Sequence, residues 1–368
     1  MQIIKSSLLK HSDNSVISSL YNRMEAVSRK RWRPGKSLSA AESEVKLKLL
    51  FPTQDSRAGL GSGNFTASPS SSEKRKLVVA SVVDWSDEEH MAHASSLALQ
   101  GVWTKWTPQA MPFDFSWKNL IYGPGPHVIR FVLNSLINCT QTPDMLRLWG
   151  YTPTAFCPLC SENQCTLHHI LANCRSALIG GRYTWRHDSV LFTIEPVLRT
   201  HLSSLKSEKD GGPPPIEKSF VRKGDKLANP AKPAPRKSLL SGSTDWRLLV
   251  DFTDRNIVFP PEIIATSERP DIVIWSVTLK KVIMIELTCP AEEGIEAARE
   301  RKHARYEQLT QDIANAGWVA DLLTIEVGAR GYVAYSAERC FRQLGMQKRT
   351  VSSLCKSLSR VVARCSYA

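Results

Sequence analysis

The C-terminal third of the sequence predicts a mixed α/β domain, and three observations predict it. Residues 272–275 and 282–285 are short β-branched and apolar runs, which is how strands buried on both faces read. The polar stretch 276–281 between them suits a tight connection, so the two runs form a hairpin. From Pro290 onward, Ile295, Ala298, Lys302, Tyr306, Leu309 and Ile313 recur at intervals of three or four, which is one face of a helix. Lys302 stands in the middle of that apolar stripe. A lysine there either snorkels out to water or meets buried acids. Asp271 at the head of the first run and Glu286 after the second are the acids this arrangement brings near it.

A chain of 368 residues has room for two or three domains, and 42% hydrophobic content supports at least one real core. The net charge of +13 points to a polyanionic partner. Nucleic acid fits better than a membrane surface, because no amphipathic basic helix stands out. Nine cysteines is an odd number, and several sit close together with histidines, so reduced thiols inside a cell fit better than a disulfide framework. There is no apolar run long enough to span a bilayer, and the opening MQIIKSSLLKHSD is too polar for a secretory signal. The expectation is a soluble nuclear protein without membrane contact.

Along the chain, residues 1–76 are expected to be a largely flexible N-terminal region. Within it the run SRKRWR at 28–33 reads as either a nuclear import signal or a solvated basic patch. Residues 77–156 form a helical linker segment, with a strand expected at 77–83 and helices over 84–100, 127–138 and 144–149. Trp103, Trp106 and Trp117 in this segment read as core rather than as a stacking surface for bases. A Cys/His-rich segment occupies 157–174 and a helical extension 175–205. The linker 206–238 contains GGPPP and NPAKPAPRK, which cannot pack. Residues 239–368 hold the α/β domain, where 246–252, 256–259 and 322–327 are further expected strands. The last helix, over 350–364, places Lys356, Arg360 and Arg364 at i, i+4 and i+8. Such a basic face is either solvated or follows a nucleic-acid backbone.

Two constellations carry chemistry. In CPLCSENQCTLHHILANC, Cys157 and Cys160 have the spacing with which two thiolates meet one ion on a tight turn, and a helix starting near Thr166 can return His169 and Cys174 to it. Three sulfurs and one imidazole leave no position for water, so such a site is structural. His168 lies beside His169 and Cys165 is a further thiol, and spacing alone does not choose between the histidines. The second constellation is Asp271, Glu286 and Lys302. Two carboxylates on adjacent strands can hold Mg²⁺, with the lysine stabilising developing charge or orienting water, which is hydrolytic phosphodiester chemistry. The same three residues also make a buried salt bridge, and spacing leaves the two readings balanced. Glu262, Glu292, Glu293 and Tyr306 are secondary candidates that read better as structural or solvated.

Taken in order, CPLC, TLHHILANC, RPDIVIW, IELTCPAEE and ERKHARYEQL resemble the C-terminal third of the polyproteins of site-specific non-LTR retrotransposons that carry a restriction-like endonuclease. The resemblance covers roughly residues 103–368. It implies a Cys-Cys-His-Cys zinc knuckle ahead of a PD-(D/E)xK restriction-endonuclease-like domain, with a mixed central sheet flanked by helices. It also implies an activity: nicking target DNA so that the exposed 3′ end primes reverse transcription. Arg269, Pro270 and Asp271 match the family's R/KPD motif, and Glu286 matches its second acid. Thr288 stands where many PD-(D/E)xK enzymes have lysine; in these retroelements the following helix supplies it, where Lys302 lies. The TL-x-H-I-L pattern assigns the knuckle histidine to His169. The implied cofactors are a structural Zn²⁺ on Cys157, Cys160, His169 and Cys174 and a catalytic Mg²⁺ on Asp271 and Glu286. The implied partners are target DNA, element RNA and a reverse transcriptase domain. That polymerase carries an Asp-Asp pair in its active-site loop, and the sequence contains no Asp-Asp dipeptide, so the chain is expected to start after it. The alternative expectation is a nucleic-acid-binding derivative that keeps the fold without turnover.

Overall fold

The computed structural model describes residues 71–106, 125–162, 164–207, 238–253, 255 and 257–368, together with Ser19, Ala40 and Ser43. The basic run at 28–33, Trp117 and most of the linker at 206–238 lie outside them. The chain divides into two compact units, Met1–Leu97 and Ala98–Ala368.

In the first unit, helix α1 spans Ser71–Ser96 and absorbs the strand expected at 77–83. β-branched residues favour strands only where a neighbouring strand gives them a surface to pack on. Here Val79 and Val83 remain about half exposed, and charged helix formers on both sides carry the helix through the run.

The second unit contains α2 (Pro126–Leu136), α3 (Pro143–Leu148), α4 (Arg175–Ile179), α5 (Arg182–Ser207), β1 (Arg247–Val250), β2 (Ile272–Ser276), β3 (Lys281–Thr288), α6 (Ile295–Asn315), β4 (Val319–Glu326), α7 (Tyr335–Gln343) and α8 (Lys348–Tyr367). Both α2 and α3 begin on proline, whose missing N–H has no partner to lose in a first turn. Thr142 caps α3 by accepting from the Met145 N–H at 3.3 Å.

The sheet order is β1-β2-β3-β4. The first three strands form an antiparallel meander, and β4 pairs in parallel with β3 after the α6 crossover. The β2–β3 register sets Ile272 opposite Ile285 and Trp275 opposite Val282. The strand expected at 256–259 does not form: Ile257–Phe259 is irregular chain. Pro260 and Pro261 follow it and offer no N–H to a ladder, and Phe259 plugs the core beside α6 instead.

Both faces of the sheet are buried. Ile272, Ile274, Ile283, Ile285, Leu287 and Ile325 pack against α5, α7 and α8, while Val273, Trp275, Val282 and Met284 pack against Tyr306, Leu309 and Ile313 of α6. Burying one such aliphatic side chain contributes roughly 1.5–3 kcal/mol. Trp106 is also core: it packs with α2 and Tyr332, and the Arg330 guanidinium lies 4.6 Å above its ring.

The turn after β4 is held by a buried ion pair. Glu292 accepts from the Arg330 backbone N–H at 2.6 Å and from its guanidinium at 2.7 Å. A Cβ on Gly328 would stand 2.5 Å from the Glu292 carboxylate, which is not free to move. Gly328→Ala is therefore expected to lower unfolding stability by about 1–3 kcal/mol, measured by urea denaturation; an unchanged midpoint would show that Glu292 is not fixed.

Candidate functional site

The ligand atoms of Cys157, Cys160, His169 and Cys174 lie within 4.8 Å of one another, and this set can hold a metal ion. A tight turn presents the first two: the Ser161 N–H reaches the Cys157 carbonyl at 2.9 Å, and the Cys157 N–H reaches the Glu162 carbonyl at 2.8 Å. The other two come from a π-helical turn, His169–Asn173. Its i→i+5 bonding swings a residue five positions on back toward the first, which a regular α-helix does not do. Tyr183 of α5 clamps the end of this turn, accepting from the Cys174 N–H at 2.9 Å and donating to the Ile170 carbonyl at 3.0 Å.

Geometry separates the adjacent histidines. His169 Nδ1 lies 3.4 Å from the Glu162 carboxylate, and its Nε2 lies 3.3 Å from the Cys160 sulfur. A carboxylate on the far nitrogen is the usual way a ligand imidazole is oriented. His168 points elsewhere, with Nδ1 3.5 Å from Glu293. Cys165 is buried outside the set of four, and burial pushes its thiol up to about 12. Burial also opposes ionisation of Cys157, but the backbone N–H groups of Cys160 and Leu159 and the His169 ring outweigh it and hold that thiol at about 6.

At one end of the sheet the second constellation assembles. Asp271 precedes β2 and Glu286 lies in β3, and both point to the α6 face. Backbone and side chain lock them reciprocally: the Asp271 N–H donates to Glu286 Oε1 at 3.0 Å, and the Leu287 N–H donates to Asp271 Oδ2 at 2.7 Å. Lys302 reaches down from α6, with Nζ bonded to Glu286 Oε2 and 3.7 Å from Asp271 Oδ2. The three residues singled out in the sequence therefore meet.

Two further residues meet them. His187 on α5 places Nε2 3.4 Å from Asp271 Oδ2, while its Nδ1 lies 3.0 Å from Asp188 Oδ1. Asp188 in turn accepts from the Thr253 N–H at 3.4 Å. Nothing in the sequence pattern singles out a His-Asp dipeptide so far upstream; only the packing of α5 against the sheet delivers it.

The environment drives the two site carboxyls apart. Glu286 is fully buried, and burial together with the neighbouring Asp271 charge pushes it up to about 7. Burial opposes ionisation of Asp271 too, but His187, Lys302 and the Leu287 N–H outweigh it and hold that carboxyl below its ordinary range. Two titratable groups separated in this way can take different protonation roles.

Arg186 ties the two constellations together. Its buried guanidinium donates to the Leu171 carbonyl in the π-turn at 2.8 Å, to the Cys289 carbonyl just after β3 at 2.9 Å, and to Ser366 of α8 at 3.2 Å.

The secondary candidates have structural partners. Glu262 accepts from Arg247 and from the Trp275 indole, Glu292 and Glu293 hold Arg330, and the Tyr306 hydroxyl donates to the Arg269 carbonyl at 3.1 Å. Arg269 itself forks onto Asp251. Lys356, Arg360 and Arg364 lie on the exposed side of α8, whose opposite side enters the core.

No protein-family model matches the sequence, and no curated protein matches it. Fold and site define a mixed α/β protein with a four-stranded mixed sheet and a Cys/His cluster able to hold an ion of zinc's type. Among the described residues, no helix is long and apolar enough to cross a membrane.

Two outcomes follow. His169→Ala is expected to lose bound zinc and His168→Ala to retain it, measured by elemental analysis of purified protein; the reverse result would move the ligand to His168. The His187 ring is raised from 6.5 to about 9, because Asp188 and Asp271 outweigh the effect of burial. A raised cation stabilises fully below its unfolded value and loses that contribution as pH climbs through its folded value. The stability gap between wild type and His187→Gln, in Mg²⁺-free buffer, is expected to be widest near pH 6 and to shrink through pH 9. A gap that grows with pH would contradict the ion pair.

Proposed function

We propose that this chain is a metal-dependent DNA endonuclease of the kind carried by site-specific non-LTR retrotransposons, with a PD-(D/E)xK nuclease fold and a structural zinc knuckle. The observation that carries this reading is the convergence of Asp271, just ahead of β2, with Glu286 on β3 and Lys302 on α6 at one end of the sheet. The mixed sheet flanked by helices supports it.

The donor set suits a hard divalent cation. Two carboxylates are held side by side, and the Lys302 ammonium bridges them as a stand-in for one. A Mg²⁺ held there would polarise the scissile phosphate and lower the pKa of the attacking water. Asp271 and Glu286 hold that cation, and the reciprocal N–H bonds fix their orientation. Lys302 stabilises charge that develops on the phosphate or orients the attacking water. His187, backed by Asp188, keeps Asp271 in place from the α5 side. Cys157, Cys160, His169 and Cys174 close around zinc, and the basic face Lys356, Arg360 and Arg364 contacts phosphates on target DNA. Action in the nucleus, with element RNA and a reverse transcriptase domain as partners, belongs to the same reading.

One observation favours a second reading. Lys302 forms ion pairs with both carboxylates, the same arrangement that a purely structural salt bridge in a nucleic-acid-binding derivative without turnover would use.

Plasmid nicking separates the two. Purified protein is expected to nick supercoiled DNA with Mg²⁺, Asp271→Ala to abolish nicking with an unchanged circular dichroism spectrum, and Lys302→Ala to slow it by about 10²–10⁴-fold. Nicking that survives Asp271→Ala would sink the assignment, and salt-dependent DNA binding without nicking would establish the second reading.

A further inference from the structure

Helix α5 carries a histidine that a site of two acids and a lysine does not account for. His187 lies on the side of α5 turned to the sheet, between the buried Arg186 and Val190, and its two ring nitrogens face different carboxylates. Nδ1 is 3.0 Å from Asp188 Oδ1, and Nε2 is 3.4 Å from Asp271 Oδ2. Asp188 is itself fixed, because the Thr253 N–H donates to its other oxygen at 3.4 Å. A hydrogen bond at one ring nitrogen sets what the other can do. With Asp188 accepting from Nδ1–H, Nε2 is the nitrogen that can offer a lone pair.

A carboxylate on the outer nitrogen and an ion on the inner one is the arrangement in which an imidazole ligates a metal. The separation agrees with it. Two ligand atoms each about 2.1 Å from an ion stand about 3 Å apart at an octahedral right angle, and about 3.4 Å apart at a tetrahedral one. Asp271 Oδ2 is also the oxygen that Lys302 approaches, at 3.7 Å, so α5 and α6 both aim at this one atom. The His187 and Asp271 side chains keep 23% and 14% of their surface, which leaves the pair within reach of an ion and its waters. Without metal the ring proton stands toward Asp271, and a divalent ion takes the place of that proton.

We infer that His187 is a third ligand of the cation held by Asp271 and Glu286, which makes the site a mixed nitrogen and oxygen set that takes Mn²⁺ in preference to Mg²⁺. Mg²⁺ favours oxygen donors and keeps its waters, whereas imidazole suits first-row transition ions, and Mn²⁺ accepts carboxylates as well. Glu286 completes the set as Lys302 gives way. The inference rests on the nuclease reading above for its cation. It deepens that reading by naming the ion and by giving α5 a ligand.

The test is pulsed electron paramagnetic resonance of Mn²⁺ bound to the full chain, first loaded with zinc so that the Cys/His cluster is filled, with calorimetric titration of Mn²⁺ and Mg²⁺ into the same samples. Wild type is expected to show modulation from one directly bound nitrogen, changed when the protein is made with ¹⁵N-histidine and absent in His187→Gln. That variant is expected to lose about tenfold in Mn²⁺ affinity and far less in Mg²⁺ affinity. Asp188→Asn loosens the ring without removing it, serves if His187→Gln fails to fold, and is expected to weaken Mn²⁺ binding by about 10–100-fold. Mn²⁺ bound without nitrogen modulation, modulation that survives His187→Gln, or Mn²⁺ affinity untouched by Asp188→Asn overturns the inference and leaves a site of two carboxylates standing. No binding of Mn²⁺ beside the zinc removes the cation site and the inference with it. Plasmid nicking by the same wild-type sample reports separately on the nuclease reading: nitrogen modulation without nicking keeps the ligand and removes the nuclease.

Discussion

Two carboxylates held side by side at the end of a buried sheet repel each other, and the surrounding elements are arranged to answer that repulsion. Asp271 and Glu286 are brought together by the β2–β3 register itself, because each carboxylate accepts a backbone N–H at the other's edge of the hairpin. Their charges are then met from both sides of the sheet, by Lys302 on α6 and by His187 on α5. An isolated buried carboxylate would neutralise itself by taking a proton. Here the answer is split: Asp271 is held in its charged form and Glu286 is pushed toward the neutral one. That asymmetry is held in place because the hairpin is packed between α5 on one face and α6 on the other.

Helix α5 is the element through which the Cys/His cluster and the acid cluster share one framework. Over two turns it presents Tyr183 to the π-turn, Arg186 to the π-turn and the strand end together, and His187 and Asp188 to the acids. A guanidinium with several fixed carbonyl partners suits such a junction because its donors are planar and rigid. The Cys/His cluster is thus built into the same unit as the sheet.

Much of this was legible in the amino-acid order. The hairpin and the α6 stripe carry strong periodic signals, and Lys302 stands out because it breaks an apolar face, where it must either snorkel to water or meet an acid. The Cys-x-x-Cys spacing was equally plain. Spacing alone left His168 and His169 open and only the family resemblance favoured His169; the geometry gives an independent reason, since the π-turn places His169 with Cys174 in the cluster. His187 and Asp188 were invisible for a different reason: their role depends on where α5 packs, and a polar dipeptide on a helix reads as solvent-facing. The valine run at 77–83 misled because strand preference is a property of the neighbouring surface.

Whether Asp271 and Glu286 form a cation site or a closed salt bridge is best decided by locating a metal directly. Crystals soaked in Mn²⁺, with data collected for anomalous scattering, are expected to show a peak coordinated by both carboxylates, with the Lys302 ammonium displaced from between them. Lys302 still bridging both carboxylates, with no anomalous peak at saturating Mn²⁺, would contradict the account.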